Sequence, residues 1–372
     1  EAVELFFEVA TDPEFTMRVA AAPIPEATTA ARDFTMKIDV DGLESGATYY
    51  YRFYAQGRVS PIGRTRTANS GPSDRLRFAV VSCSSLAHGY FHGYNEIAGR
   101  ADLAAVIHLG DYIYEFGDGT YGDIRPYDPP HECITLDDYY RRYRQYRSDP
   151  DLQAVHRQHP FIATWDDHEI ANDGWVDGAE NHDPMTEGPW SERRMVATQA
   201  YFDWLPIREA EFGRLYRQLP YGDLVDIIVL DTRYEGRDEQ VALTDPDSLD
   251  RIYAEDRQLL GAEQEAWCFD KLSTSTAQWK LLAQQVMVGQ MIITPGENGE
   301  PNRPFFSDPW DGYDAPRRRL LAHIKDNGIP DVVVLTGDVH SSFANELVPD
   351  PYVDYDPDTG AGSIAVEFVT PG

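Results

Sequence analysis

The sequence has no run of 18 apolar residues, so nothing in it reads as a membrane-spanning helix. It has only three cysteines, Cys83, Cys133 and Cys268. That is too few for a disulfide framework; at most one bridge could form, leaving one thiol. Lysine is scarce, with four of the 32 basic residues being Lys and the rest Arg. Positive charge is outweighed by 63 acidic residues, giving a formal net charge of −31. Such a charge argues against nucleic acid and anionic membranes as partners; it is compatible with cation binding, although a solvated acidic surface is the commoner explanation. High acid with low lysine fits a salt-adapted or a GC-rich source, and composition does not separate the two. There is no internal repeat and no low-complexity run. The chain begins at Glu1, without an initiator Met or a signal sequence, and ends at Gly372 directly after an apolar strand-like run. Both ends read as cut, with any targeting signal out of view.

What is present is globular. The 372 residues are 42% apolar and 12% aromatic, enough for one or two domains with a sizeable core. Residues 1–69 are expected to be all-β. Stretches at 5–9, 16–19 and 34–40 alternate at period two, with Pro and Gly between them. Leu43, a turn and Tyr49 six residues on resemble the tyrosine corner of fibronectin type III sandwiches. A small polar linker follows at 67–74. From residue 74 the pattern becomes short apolar strands alternating with helical stretches, an α/β domain over 74–372. Strands are expected at 76–81, 103–109, 161–165, 225–230, 280–288, 332–335 and 364–369. Helices are expected at 135–146, 192–204, 263–273 and 317–327, the first with Thr135 as N-cap and Asp138 completing a capping box. The segments 117–133, 174–190 and 294–313 resist assignment, and loops this long are usually functional rims or lids.

Four strand ends carry metal-ligand chemistry. They read Ser82-Cys83-Ser84, Gly110-Asp111-Tyr112-Ile113-Tyr114, Asp166-Asp167-His168-Glu169 and Gly337-Asp338-Val339-His340. Alone, each has an ordinary structural explanation: an Asp after a strand caps a helix, a Cys fills a core, a His is satisfied by its neighbours. Four such tips in order are hard to get by chance, and the three adjacent ionisable residues at 166–168 are costly to cluster behind an apolar strand unless cations balance them.

The Gly110-to-Tyr114 stretch resembles the GDxxY motif of purple acid phosphatases and the calcineurin-like metallophosphoesterases. Together with Cys83, residues 166–169 and 337–340, the chain resembles the alkaline phosphatase D (PhoD-like) family. The likeness extends to Trp310-Asp311-Gly312-Tyr313 and Gly63-Arg64-Thr65-Arg66-Thr67. It implies a four-layer α/β/β/α metallophosphatase sandwich behind a smaller N-terminal fibronectin-III/Ig-like domain. It further implies that Asp111 bridges two metals and that Tyr114 binds the first as a phenolate. Cys83 stands where most of the superfamily has an Asp. With His340, this thiolate and phenolate suit Fe3+ by ligand softness. Asp167, and Asp338 in place of a usual His, complete an oxygen-rich second site with Asp111, for which the resemblance implies one or two Ca2+. His168 takes the place of the leaving-group acid, oriented by Asp166 or Glu169, either of which is also a possible ligand. A further His common in the superfamily is missing; Gln285 is a weak substitute. His88, His92 and His108 match no family motif and are read as structural. Arg141, Arg142 and Arg144 are candidates for holding phosphate.

The expected activity is hydrolysis of small-molecule or lipid phosphate esters by a monomer that is secreted or periplasmic. Family chains continue past the strand at 364–369 into a segment closing over the site. Three alternatives stand beside this: a phosphodiesterase of phospholipase D type on the same site, a non-catalytic secreted binding protein, and a calcium-stabilised structural protein.

Overall fold

The computed structural model describes residues 2–24, 26–208, 211–296, 302–350, 352–353 and 355–372. In the N-terminal part, strands β1 (Leu5–Ala10), β2 (Arg18–Pro23), β3 (Thr48–Ala55), β4 (Arg58–Val59) and β5 (Gly63–Arg66) form one antiparallel sheet. Its order is β2-β1-β3-β4, with β5 also paired to β3. β3 is almost wholly aromatic and β-branched, the composition that packs well on a pleated surface. Tyr49 is buried, and its hydroxyl accepts the Glu44 N–H at 2.8 Å, pinning the turn before β3.

The stretch 34–40 is not a strand. Asp33 and Phe34 adopt left-handed conformations (φ 48° and 57°), which turn the chain away from the sheet. Lys37 Nζ then donates to Ile207 O at 2.9 Å, and Asp39 pairs with Arg208 at 2.8 Å. The alternation is real, but it faces the second part of the chain rather than a ladder.

In the second part, β6 (Phe78–Val81), β7 (Ala105–His108) and β8 (Phe161–Ala163) form a parallel sheet. Helices α1 (His92–Ala98), α2 (Leu136–Arg147) and α3 (Pro150–Gln158) lie between these strands in sequence, with α4 (Pro184–Glu187) and α5 (Trp190–Trp204) following. Thr135 and Asp138 make the expected reciprocal cap of α2. Then come β9 (Arg217–Tyr221), β10 (Val225–Val229), α6 (Ser248–Ile252), α7 (Ala262–Thr274) and β11 (Trp279–Ala283). A small pair, β12 (Ile292–Thr294) and β13 (Arg303–Pro304), precedes α8 (Asp314–Asp326), β14 (Val332–Thr336), β15 (Phe343–Leu347) and β16 (Ala365–Val369). The larger sheet runs β15-β16-β14-β11-β10-β9, parallel at its centre and antiparallel at both edges. The strand expected over 280–288 stops at Ala283 because the next two side chains, Gln284 and Gln285, are drawn into buried hydrogen bonds. Of the unassigned segment 294–313, residues 297–301 lie outside the described residues.

Three apolar clusters explain the packing. Val106, Phe161 and Ala163 meet Tyr139, Tyr143, Val155 and Tyr201 under α2, α3 and α5. Ile107, Leu109 and Ile162 meet Ile227, Val229, Val333 and Leu335 between the two sheets. Ile228, Leu282 and Val334 meet Cys268, Leu272, Leu320 and Ile324 under α7 and α8. Neighbours such as Val106 and Ile107 enter opposite clusters, as the period of two requires. Strands buried on both faces therefore read as unbroken apolar runs. Cys133 and Cys268 sit in the first and third clusters, and all three cysteines are free and buried.

Candidate active site

The loops after β6, β7, β8 and β14 converge. Their key residues take left-handed backbone conformations: Cys83 (φ 52°), Asp111 (53°), Asp338 (65°) and His340 (53°). Non-glycine residues rarely adopt these, and they cluster where surrounding structure holds a functional geometry. Gly110 (φ 109°) makes the sharpest turn; a Cβ there would fall 2.5 Å from Asp166 Cβ, so only glycine lets the two tips touch.

Ligand atoms of Cys83, Asp111 and His340 lie within 4.8 Å of one another. Tyr114 belongs with them: its hydroxyl donates to Asp111 Oδ2 at 3.1 Å and is 3.0 Å from His340 Nε2. Asp111 also groups with Asp167 and His168, and Asp167 with Asp166 and Asp338, each set within 4.8 Å. Asp111 Oδ1 and Asp166 Oδ2 are buried without a hydrogen-bond partner. Burial pushes the Cys83 thiol and the Tyr114 phenol well above their usual ranges, helped by the Asp111 charge. Burial likewise raises Asp166, Asp167 and Asp338, against the pull of Arg233. Asp111 is the exception; burial opposes it, but His168, His340 and Arg233 hold it below the usual carboxylate range. A soft donor set beside crowded carboxylates with orphaned oxygens fits bound cations.

Comparison with known proteins shows the family. A family model described as "PhoD-like phosphatase" matches residues 78–372, and one for the N-terminal domain of PhoD-like phosphatases matches residues 1–69. The chain belongs to the PhoD-like phosphatase family. It is 37% identical over 381 aligned positions to alkaline phosphatase D of Bacillus subtilis (strain 168), covering 99% of this chain and 63% of that protein. A solved structure described as "Structure of PhoD" superposes with a TM-score of 0.89 at 36% identity, over 100% of this chain and 70% of that one. The chain thus spans under two thirds of the curated relative's length.

Within this PhoD-like framework several residues differ from their sequence-based roles. His168 Nδ1 lies 2.7 Å from Glu115 Oε2, so Glu115, and not Asp166 or Glu169, orients the imidazole. Burial disfavours the imidazolium, yet Glu115, Asp167 and Asp111 raise its pKa well above the usual value. Glu169 instead accepts the N–H groups of Asp111 (3.0 Å), Tyr112 (2.6 Å) and Asp166 (2.8 Å), tying two strand tips together. Asp166 pairs with Arg233. Asp111, Asp167 and Asp338 do not form one ligand group among the described residues, because Arg233 Nη2 draws Asp338 Oδ1 to 2.7 Å. The Gln285 amide is saturated by Thr232, Thr164 and Leu230, so it substitutes for no ligand. Arg142 is buried against the carbonyls of Tyr114, Asp128 and Pro129; Arg141 pairs with Asp128, and Arg144 with Asp33 and Asp137. None of the three is at the site. His108 is buried against Tyr94, and burial pushes its pKa down to about 3. His88 contacts Ser85, and His92 contacts Asp151.

Sequence reasoning missed Arg233, Asp308, Glu115 and Tyr121. Arg233 is fully buried, its Nε 2.5 Å from Asp166, its Nη1 2.7 Å from Asp308 and its Nη2 2.7 Å from Asp338. It is the central counter-ion of the acidic cluster. Tyr121, from the loop at 117–133, holds His340 Nδ1 at 3.1 Å and stacks on Tyr114. Glu115 had a signal, since it directly follows Tyr114, and Tyr121 lies in the long loop at 117–133; Arg233 and Asp308 lie far away in sequence.

Proposed function

We propose that the protein is a metal-dependent hydrolase of phosphate esters of the alkaline phosphatase D type. The observation that carries this reading is the meeting of Cys83, Asp111, Tyr114 and His340 around an unpartnered Asp111 oxygen, next to a His168 oriented by Glu115. Cys83, Tyr114, His340 and Asp111 would hold Fe3+. Asp111, Asp167 and the adjoining Asp166 and Asp338 would hold Ca2+, one ion or two. Bound cations would polarise the ester and lower the pKa of attacking water. Glu115 keeps the Nδ1 proton of His168 in place and favours the imidazolium, leaving Nε2–H to protonate the departing alkoxide. Phe116 and Tyr121 pack beside that imidazole and limit its rotation. Tyr121, by engaging Nδ1 of His340, leaves Nε2 as the nitrogen that faces Asp111 and Tyr114.

The three apolar clusters support a four-layer α/β/β/α sandwich over 74–372. The Tyr49–Glu44 contact supports kinship of residues 1–69 with fibronectin-III/Ig-like domains, although a single sheet is formed among the described residues. Family membership favours a secreted or periplasmic monomer acting on small-molecule or lipid esters. Among the described residues, no helix is long and apolar enough to cross a membrane.

A diester preference has its own support. A cavity of about 460 Å³ opens beside Cys83 and His340, lined by Tyr90, Phe91, Tyr94 and Ile97. That is room for a second substituent rather than charge for a dianion. The test measures nitrophenyl phosphate and bis-nitrophenyl phosphate hydrolysis with elemental analysis. Asp111→Asn should lose activity and metal together, and His168→Ala should lose more rate with alkyl than with nitrophenolate leaving groups. Full metal content and activity in Asp111→Asn would refute the reading.

A further inference from the structure

Between the N-terminal sheet and helices α2 and α3 lies a cavity of about 830 Å³. Sites for drug-sized ligands span roughly 300–1,000 Å³. One wall is the face of β1 and β3, with Val9, Tyr51 and Phe53. Met36 and Ile38, from the extended stretch that pairs with no strand, form its side, and Phe161 and Trp204 close the far wall. Two arginines also line it: Arg147 at the end of α2 and Arg157 on α3.

These arginines are unusual in so acidic a chain. Their neighbours on α2, Arg141 and Arg144, are paired with carboxylates. Among the described residues Arg147 and Arg157 are paired with none; the Arg147 side chain donates only to Tyr112 OH, at 3.3 Å. The one carboxylate in the lining, Asp203, is already engaged by Tyr140 OH at 2.6 Å and Arg32 at 3.5 Å. Apolar walls with uncompensated guanidinium groups match an anion with a hydrocarbon tail.

We propose that this cavity binds a single-tailed amphipathic carboxylate, a free medium-chain fatty acid. The tail lies along Val9, Tyr51 and Phe53, and the head is held by Arg147 and Arg157. The site is distinct from the candidate active site and independent of the reaction assigned there. The two are nonetheless close in the hydrogen-bond network. Tyr112 OH meets Arg147 and His156 Nε2 (2.9 Å), and Tyr112 N–H donates to the same Glu169 carboxylate that receives Asp111 N–H.

The test is calorimetric titration of the full chain with sodium dodecanoate below its micelle concentration, with dodecyltrimethylammonium as a cation of matched tail. One saturable site is expected for dodecanoate and none for the cation. Arg157→Gln, on an exposed side chain, should weaken binding about tenfold, as loss of a charge-assisted hydrogen bond implies. Met36→Trp should fill the cavity and abolish binding, with thermal melts confirming that both variants fold. Absence of saturable heat, equal binding of the cation, or unchanged affinity in either folded variant would overturn the proposal.

Discussion

Replacing Arg233 by Met would remove the counter-ion from a cluster in which Asp166, Asp308 and Asp338 each lie within 2.7 Å of one guanidinium. Hydrogen bonds to charged groups are worth about 1.5–3 kcal/mol each. Three on one fully buried group do not add, and losing one partner of a buried ionic network costs about 3–5 kcal/mol. That is a large share of a stability of roughly 5–15 kcal/mol. At about 2–4 °C per kcal/mol, the melting midpoint in chelator should fall by about 6–20 °C. Calcium should then restore part of the loss, because a cation among the same carboxylates replaces the missing charge. A ligand present at a hundred times its Kd adds about 2.7 kcal/mol, so the calcium-induced rise should reach about 5–10 °C in the variant. In the parent, where Arg233 already balances the cluster, that rise should be smaller. Arg233→Lys, which keeps the charge and loses the fork, should fall between the two. The assay is calorimetric melting of each protein in chelator and across a calcium series. A drop under about 2 °C in chelator, or the same calcium response in all three proteins, would refute Arg233 as the balancing charge.

Gly110→Ala should cost about 1–3 kcal/mol from its backbone conformation alone. It should also depress metal content, since the new Cβ would sit 2.7 Å from Trp165 C and push the β7 and β8 tips apart; a denaturant midpoint equal to the parent's would contradict this. Asp311, pushed up to about 7 by burial, has a folded pKa above its unfolded one. Its stabilising contribution is therefore complete below about pH 4 and lost as pH rises through about 7. Asp311→Asn should gain stability relative to the parent between those limits, measured as the difference in urea midpoints; a difference that does not change with pH would count against it.

The strand tips were legible because each feature is local: an apolar run, then the ligand type within a few residues. Their assembly was not. Arg233 reaches Asp166 across 67 residues, Asp308 across 75 and Asp338 across 105, and nothing near residue 233 marks it as a counter-ion. The charged helix α2 drew attention to Arg142, whose real work is to tie loop carbonyls to the helix; a count of positive charge does not distinguish a phosphate binder from a buried strut. The stretch at 34–40 shows the same limit for strands. Its period of two states that one side is covered, not that a neighbouring strand covers it. The helix cap at Thr135 and Asp138, by contrast, depends on four consecutive residues and was readable outright.

The left-handed backbone at Cys83, Asp111, Asp338 and His340 restricts how this centre could be rebuilt. Substitutions that keep such a φ at modest cost are mainly Gly, Asn and Asp, with His enriched as well, whereas β-branched residues are true outliers there. An experimenter wishing to retune metal choice can exchange Asp for Asn or His at these tips with the loops in register. Thr or Val at the same positions would alter the path of the chain before altering the coordination. The available alphabet for this site is set by its backbone as much as by its metals.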